Sequence, residues 1–178
     1  NYPVLQAADI LIYGGSLVLL FAMSALYHGL TAPRAKEVFR RLDHTAIFLL
    51  IAGTYTPFTL VAARGTVGWT LFAVVWSLAV GGILFELFFL DRFKWITITL
   101  YVGMGWVGVF AAKTMWNALS GPALTWLAIG GVMYTFGVIF YKWRTLPFNH
   151  AVWHLFVIGG SVCHFVSIFW HVLPPAAA

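Results

Sequence analysis

Charge is what this sequence has least of. Of its 178 residues, ten are Lys or Arg and five are Asp or Glu, 8% in all, where a soluble domain carries about 25%. So few charges cannot cover the surface of a soluble domain of this length. The 62% hydrophobic content and the mean hydropathy of +0.91 agree. Most of the chain must have lipid as its solvent. A soluble enzyme, a disordered protein and a nucleic-acid-binding domain are excluded on this ground. Cysteine is almost absent too. Cys163 stands alone, so an internal disulfide is excluded, and its apolar surroundings make it a small core residue. Alternating polar and apolar strands are missing, which excludes an outer-membrane barrel. No signal peptide is expected, because the first apolar segment is too long and lacks a basic start.

What is present is length and apolarity at the scale of a bilayer. A spanning helix needs about 20 apolar residues, and six segments qualify: Tyr2 to Tyr27, Leu42 to Ala63, Val67 to Leu90, Trp95 to Met115, Pro122 to Tyr141 and Phe148 to Leu173. The expected fold is all-α, a polytopic transmembrane bundle of six helices forming a single domain over residues 1–178. The loops after the first, third and fifth segments hold Arg34, Lys36, Arg40, Arg41, Arg92, Lys94, Lys142 and Arg144; the opposite loops hold Arg64 and Lys113. The positive-inside rule assigns the basic loops to the cytoplasm and both ends of this chain to the outside. The net charge of +5 therefore reports topology and not a nucleic-acid partner. Small residues such as Gly14, Gly15, Gly81, Gly82, Gly103, Gly105, Gly108, Gly130, Gly131, Gly159 and Gly160 are expected to permit close helix packing. Trp69, Trp95 and Trp116 sit where interfacial anchors belong. Pro57, inside the second segment, frees a backbone carbonyl and should kink that helix.

Ionisable groups inside membrane segments are costly and are functional candidates by default. His28 ends the first segment, Asp43 and His44 open the second, and His150 and His154 open the sixth, with His164 and His171 further along. In the expected topology His28, Asp43 and His150 all lie near the cytoplasmic face, and His154 lies about 6 Å deeper. Three segments thus bring polar residues to one depth. His150 and His154 are spaced i, i+4 and project from one helix face, a common helical metal clamp. A third histidine, His28, would complete a three-ligand zinc site with one position open to water, the pattern of a catalytic site. Ser24 is four residues before His28 and shares its face. Asp43 can accept a hydrogen bond from water at the open position, or it can pair with Arg40 or Arg41. Interfacial or interhelical roles explain His44 and His171, and His164, turned roughly 80° from the clamp, reads as a supporting or packing residue.

Ser24-Ala25-Leu26-Tyr27-His28, Leu42-Asp43-His44-Thr45-Ala46-Ile47, Ile51-Ala52-Gly53-Thr54-Tyr55-Thr56-Pro57-Phe58, Asn149-His150-Ala151-Val152-Trp153-His154 and Gly159-Gly160-Ser161-Val162-Cys163-His164-Phe165 together resemble the bacterial haemolysin III proteins. That family is grouped with the progestin and adiponectin receptors and, more remotely, the alkaline ceramidases. The resemblance spans the whole chain. It implies a seven-helix bundle in the bacterial plasma (inner) membrane, with the N-terminus cytoplasmic and the C-terminus outside; this chain shows six segments, and the family's first is expected to be the one missing. It further implies Zn2+ held by His28, His150 and His154, with Asp43 contacting the water on the metal and Ser24 beside the site.

Three functions follow as expectations. The first is a zinc-dependent hydrolase with Asp43 as general base, acting on a lipid-like amide or ester reached from within the bundle, as the ceramidase side of the resemblance implies. The second is a non-enzymatic sensor or receptor-like protein responding to membrane lipids, with zinc as a structural clip. The third is a membrane-perturbing protein of haemolysin type, disfavoured because the middles of the segments are apolar and show no polar stripe for a pore.

Overall fold

The computed structural model describes residues 2–89 and 92–173, with side chains described from residue 7 onward. Leu90, the expected end of the third segment, lies outside the described residues. The described chain is helical throughout, without a strand. In order it runs α1 (Tyr2–Gly29), α2 (Pro33–Pro57) with a π-helical turn (Phe58–Ala62), α3 (Thr66–Phe89), α4 (Lys94–Trp106) with a 3-10 turn (Val107–Ala111), α5 (Ala112–Ala118), α6 (Gly121–Lys142) and α7 (Asn149–Ser167) with a closing π-helical turn (Ile168–Val172). Six helical stretches are long and apolar enough to cross a membrane. They group into two compact units, Asn1–Phe110 and Ala111–Ala178.

In the first unit α2 is central. In its most apolar window 67% of residues are buried, against 17–28% in the other five spans. Pro33 occupies the first helical turn, where its missing N–H costs nothing, and Ala32 before it is extended. The helix therefore begins at Pro33 and not at Leu42 as expected. The charged stretch is helical because Glu37 accepts from Arg40 at 2.8 Å and from Arg41 at 3.2 Å, pairs one turn apart that hold a solvated helix end. Arg41 also donates to the Leu87 carbonyl of α3 at 2.9 Å. Deeper in the unit the Phe48 ring fills the space a Cβ on Gly82 would need, and its centroid lies 4.5 Å from that of Tyr101. Pro57 ends the regular part of α2, and the chain continues in wider π-helical geometry.

The fourth expected segment, Trp95 to Met115, is not one continuous α-helix. It tightens to 3-10 geometry over Val107–Ala111 before α5. Gly103, Gly105 and Gly108 weaken the helix there. Tyr55 of α2 compensates: its hydroxyl donates to the Gly105 carbonyl at 2.8 Å and accepts from the Gly108 N–H at 2.8 Å.

In the second unit α6 and α7 form a hairpin in which small residues do the work expected of them. A Cβ on Gly130 would meet His164, one on Gly137 would meet Phe156 and Trp153, and one on Gly160 would meet Tyr134. Tyr134 and Ser161 share a 2.7 Å hydrogen bond, and Ser167 donates to the Ala123 carbonyl at 2.8 Å. Cys163 is buried, as expected of a core residue. Close packing does not extend to Gly14, Gly15, Gly81, Gly103 and Gly105, where an added Cβ would meet open space.

Candidate metal centre

The short link between α1 and α2 makes them an antiparallel hairpin, and one contact sets its register. A Cβ on Gly53 would collide with the Ser16 side chain and crowd the Ile12 carbonyl, so Gly53 faces the stretch between Ile12 and Ser16. Counting ten residues back along α2 and ten forward along α1 puts Asp43 level with Ser24. Both are buried, each 9% exposed. His28 lies one turn beyond Ser24, exposed at the end of α1. Its ring is 4.6 Å from that of Tyr27, which in turn lies under the Lys36 ammonium at 5.7 Å.

In the second unit, His150 and His154 occupy successive turns at the start of α7. Their Nε2 atoms are 3.0 Å apart, with the rings nearly perpendicular and their centroids 4.6 Å apart. Two features fix the start of this helix. Asn149 donates through its amide to the Phe140 and Tyr141 carbonyls, each at 3.3 Å, which ties it to the end of α6. Phe148, just ahead, takes a left-handed φ of 58°, a conformation that disfavours any residue with a Cβ. Two imidazole nitrogens at this separation can share one proton or one cation. Within the second unit each of these two histidines offers one ring nitrogen to such an ion; His28, the third histidine expected at the centre, belongs to the first unit.

The other histidines have different roles. His44 is an interhelical partner: its Nδ1 donates to Glu86 of α3 at 2.7 Å. His164 makes a 3.2 Å bond from Nε2 to the Leu127 carbonyl of α6, so it is a packing residue. His171 is exposed in the closing turn. Two carboxylates escaped the reading of the sequence, Glu86 and Asp9. Both lie inside apolar segments, and the cost criterion applied to the histidines selects them equally.

These observations describe an all-α, multi-pass membrane protein with a histidine set able to hold a metal. The chain belongs to the haemolysin-III-related family, whose sequence profile, described as "Haemolysin-III related", matches residues 3–165. It is 48% identical to Hemolysin-3 of Bacillus cereus over 166 residues, covering 93% of this chain and 76% of that protein. It is 45% identical to the Hemolysin-3 homolog of Bacillus subtilis (strain 168), covering 90% and 75%. At 29% identity it matches the human Monocyte to macrophage differentiation factor, covering 89% of this chain and 68% of that protein. A more distant match, at 26% identity, is the Progestin and adipoQ receptor-like protein 1 of Caenorhabditis elegans, covering 85% of this chain and 40% of that protein, in keeping with the wider superfamily. No solved structure matches the chain.

Proposed function

We propose that this protein is a zinc-dependent intramembrane hydrolase of a lipid-like amide or ester, working as one transmembrane domain with its basic loops in the cytoplasm. The observation that carries the proposal is the His150–His154 clamp. Two imidazole nitrogens 3.0 Å apart on successive turns of one helix would suit two ligands of one zinc ion. His28 would be the third ligand in this reading. Zinc held by these residues would lower the pKa of a bound water to about 7 and polarise a carbonyl oxygen.

The chain's own residues supply the rest. Asp43, buried on α2, takes a proton from water as general base and returns it to the leaving amine or alcohol. Ser24, level with Asp43, orients that water or a substrate oxygen through its hydroxyl. Membrane lipids are the available source of an apolar amide or ester. The eight basic residues on one set of loops against two on the other support the cytoplasmic placement.

Asp43→Asn tests the reading. Asparagine keeps the size and still accepts a hydrogen bond but cannot take the proton. Release of fatty acid from lipid amides and esters in nanodiscs should fall by at least ~10²-fold while metal content is unchanged. Activity equal to the parent removes Asp43 as the base. A parent that holds zinc and turns over no lipid amide or ester points instead to a structural metal in a lipid-responsive protein.

A further inference from the structure

Asp9 is a buried acid without a partner. It is 1% exposed, and among the described residues neither carboxylate oxygen has a hydrogen-bond donor. Glu86, the comparably buried acid of α3, differs in kind: both of its oxygens accept hydrogen bonds. Asp9 lies in the first turn of the apolar span Ala7–Gly29, and at its 1% exposure the packed side chains, not its depth in the bilayer, keep water from it. An ionised carboxylate left bare in such surroundings is among the most unfavourable arrangements available to a protein.

What lies beside Asp9 is unusual backbone. Asp9, Tyr13 and Ser16 recur at helical spacing on the face of α1 that meets Gly53. In the antiparallel register fixed by that contact, Asp9 falls level with Pro57 and Phe58. Pro57 has no N–H, so the Gly53 carbonyl, four residues earlier, loses its helical donor. The Phe58 N–H bonds to the Tyr55 carbonyl, which leaves the Thr54 carbonyl without its regular α-helical partner as well. Helix carbonyls point toward the C-terminal end, and for α2 that is the direction from Gly53 toward the level of Asp9.

We propose that Asp9 and the carbonyls released by Pro57 bind one monovalent cation, Na+ or a proton in its place. One carboxylate balances one positive charge, so the filled site is neutral, whereas a divalent ion would leave charge uncompensated. The donors are all hard oxygen, which suits Na+ or H+ and not a thiolate- or imidazole-seeking metal. Interrupted membrane helices serve this purpose generally, because unwound carbonyls replace the hydration of a small cation. The site is separate from the histidine centre: Asp9 precedes Ser24 by about 22 Å along α1 at 1.5 Å per residue.

The test uses the intact protein in nanodiscs of phosphatidylcholine, whose headgroups carry no net charge. Binding of radioactive Na+ is measured across Na+ concentration and pH, and the infrared carbonyl band of a protonated carboxylic acid is followed in Na+-free buffer. Saturable binding of about one Na+ per chain that Asp9→Asn abolishes supports the sodium form. A protonated-acid band that Asp9→Asn removes, without Na+ binding, supports the proton form. Pro57→Ala restores the donor to the Gly53 carbonyl and leaves Asp9 in place. It should weaken Na+ binding about tenfold or more, or shift the pH at which the acid band disappears. The proposal fails if the parent shows neither saturable Na+ binding nor an acid band assignable to isotope-labelled aspartate. It also fails if Asp9→Asn binds Na+ as the parent does.

Discussion

His44 Nδ1 lies 2.7 Å from Glu86 Oε1, and this pair knits the first unit together. The other oxygen of Glu86 accepts from the Thr97 hydroxyl at 2.7 Å, and Tyr101 donates to the His44 carbonyl at 2.8 Å. Three helices, α2, α3 and α4, thereby meet at one buried carboxylate that is 3% exposed. The network neighbours Asp43 in sequence but faces another direction, since adjacent helical residues point about 100° apart. Its effect on the centre is to hold α2 in place.

Glu86→Gln should therefore destabilise the first unit. Glutamine can accept from His44, but its amide N–H group then faces Thr97, whose hydroxyl must turn from donor to acceptor. The expected cost is about 1–3 kcal/mol, read as a lower melting temperature in nanodiscs. Glu86→Ala should cost more, because it leaves the buried Thr97 hydroxyl and the half-buried His44 without their acceptor. A double-mutant cycle with Thr97→Val isolates the pairwise part. A Glu86→Gln protein that melts with the parent would mean that the carboxylate holds nothing together.

Tyr55→Phe probes the interruption of α4. The hydroxyl bridges Gly105 and Gly108 where the helix tightens. Removing it should cost about 1–3 kcal/mol and speed amide exchange at Gly108 about tenfold or more. Exchange unchanged at Gly108 would show that the bridge does not hold the turn.

The number and approximate position of the membrane helices were legible because bilayer length and apolarity are properties of a contiguous stretch. The i, i+4 pair on α7 was legible for a similar reason, since helical spacing alone puts His150 and His154 on one face. Boundaries set by local chemistry were harder. Hydropathy cannot show that Glu37, Arg40 and Arg41 sustain helix before the apolar part of α2, because ion pairs of this kind form only once the helix exists. The break in α4 depends on a tyrosine about fifty residues away in sequence. Partner identity was equally hidden: His44 read as interfacial or interhelical, and only the packing of α3 against α2 shows that its partner is Glu86. Asp9 and Glu86 are isolated acids without a motif, and attention to histidine spacing passed over them.

The proposed orientation rests on the basic loops. With Cys163 replaced and a single cysteine placed at Lys36, an impermeant thiol reagent should leave intact cells unlabelled and should label after the membrane is opened. A cysteine at Arg64, in the opposite loop, should show the reverse. Labelling of the Lys36 position from outside overturns the cytoplasmic placement of the basic loops.

Metal content is the most direct check on the histidine centre. The parent should retain about one zinc per chain after dialysis against trace zinc, measured by elemental analysis. His28→Ala, His150→Ala and His154→Ala each remove a ligand, and each should lower zinc affinity by more than the 10–100-fold that follows loss of a residue that merely orients a ligand. His164→Ala is the contrasting case. Its imidazole is engaged with the Leu127 carbonyl, so the variant should keep its zinc and lose stability. Zinc requires neutral imidazole, so binding releases protons and occupancy should decline as the pH falls; that decline should be absent in the His150→Ala,His154→Ala double variant because little metal remains to be lost. If the three single variants keep a full complement of zinc, the ion sits elsewhere and the hydrolase proposal loses its centre. If His150→Ala and His154→Ala lose zinc while His28→Ala does not, the clamp on α7 is real and its third ligand must be sought among other donors.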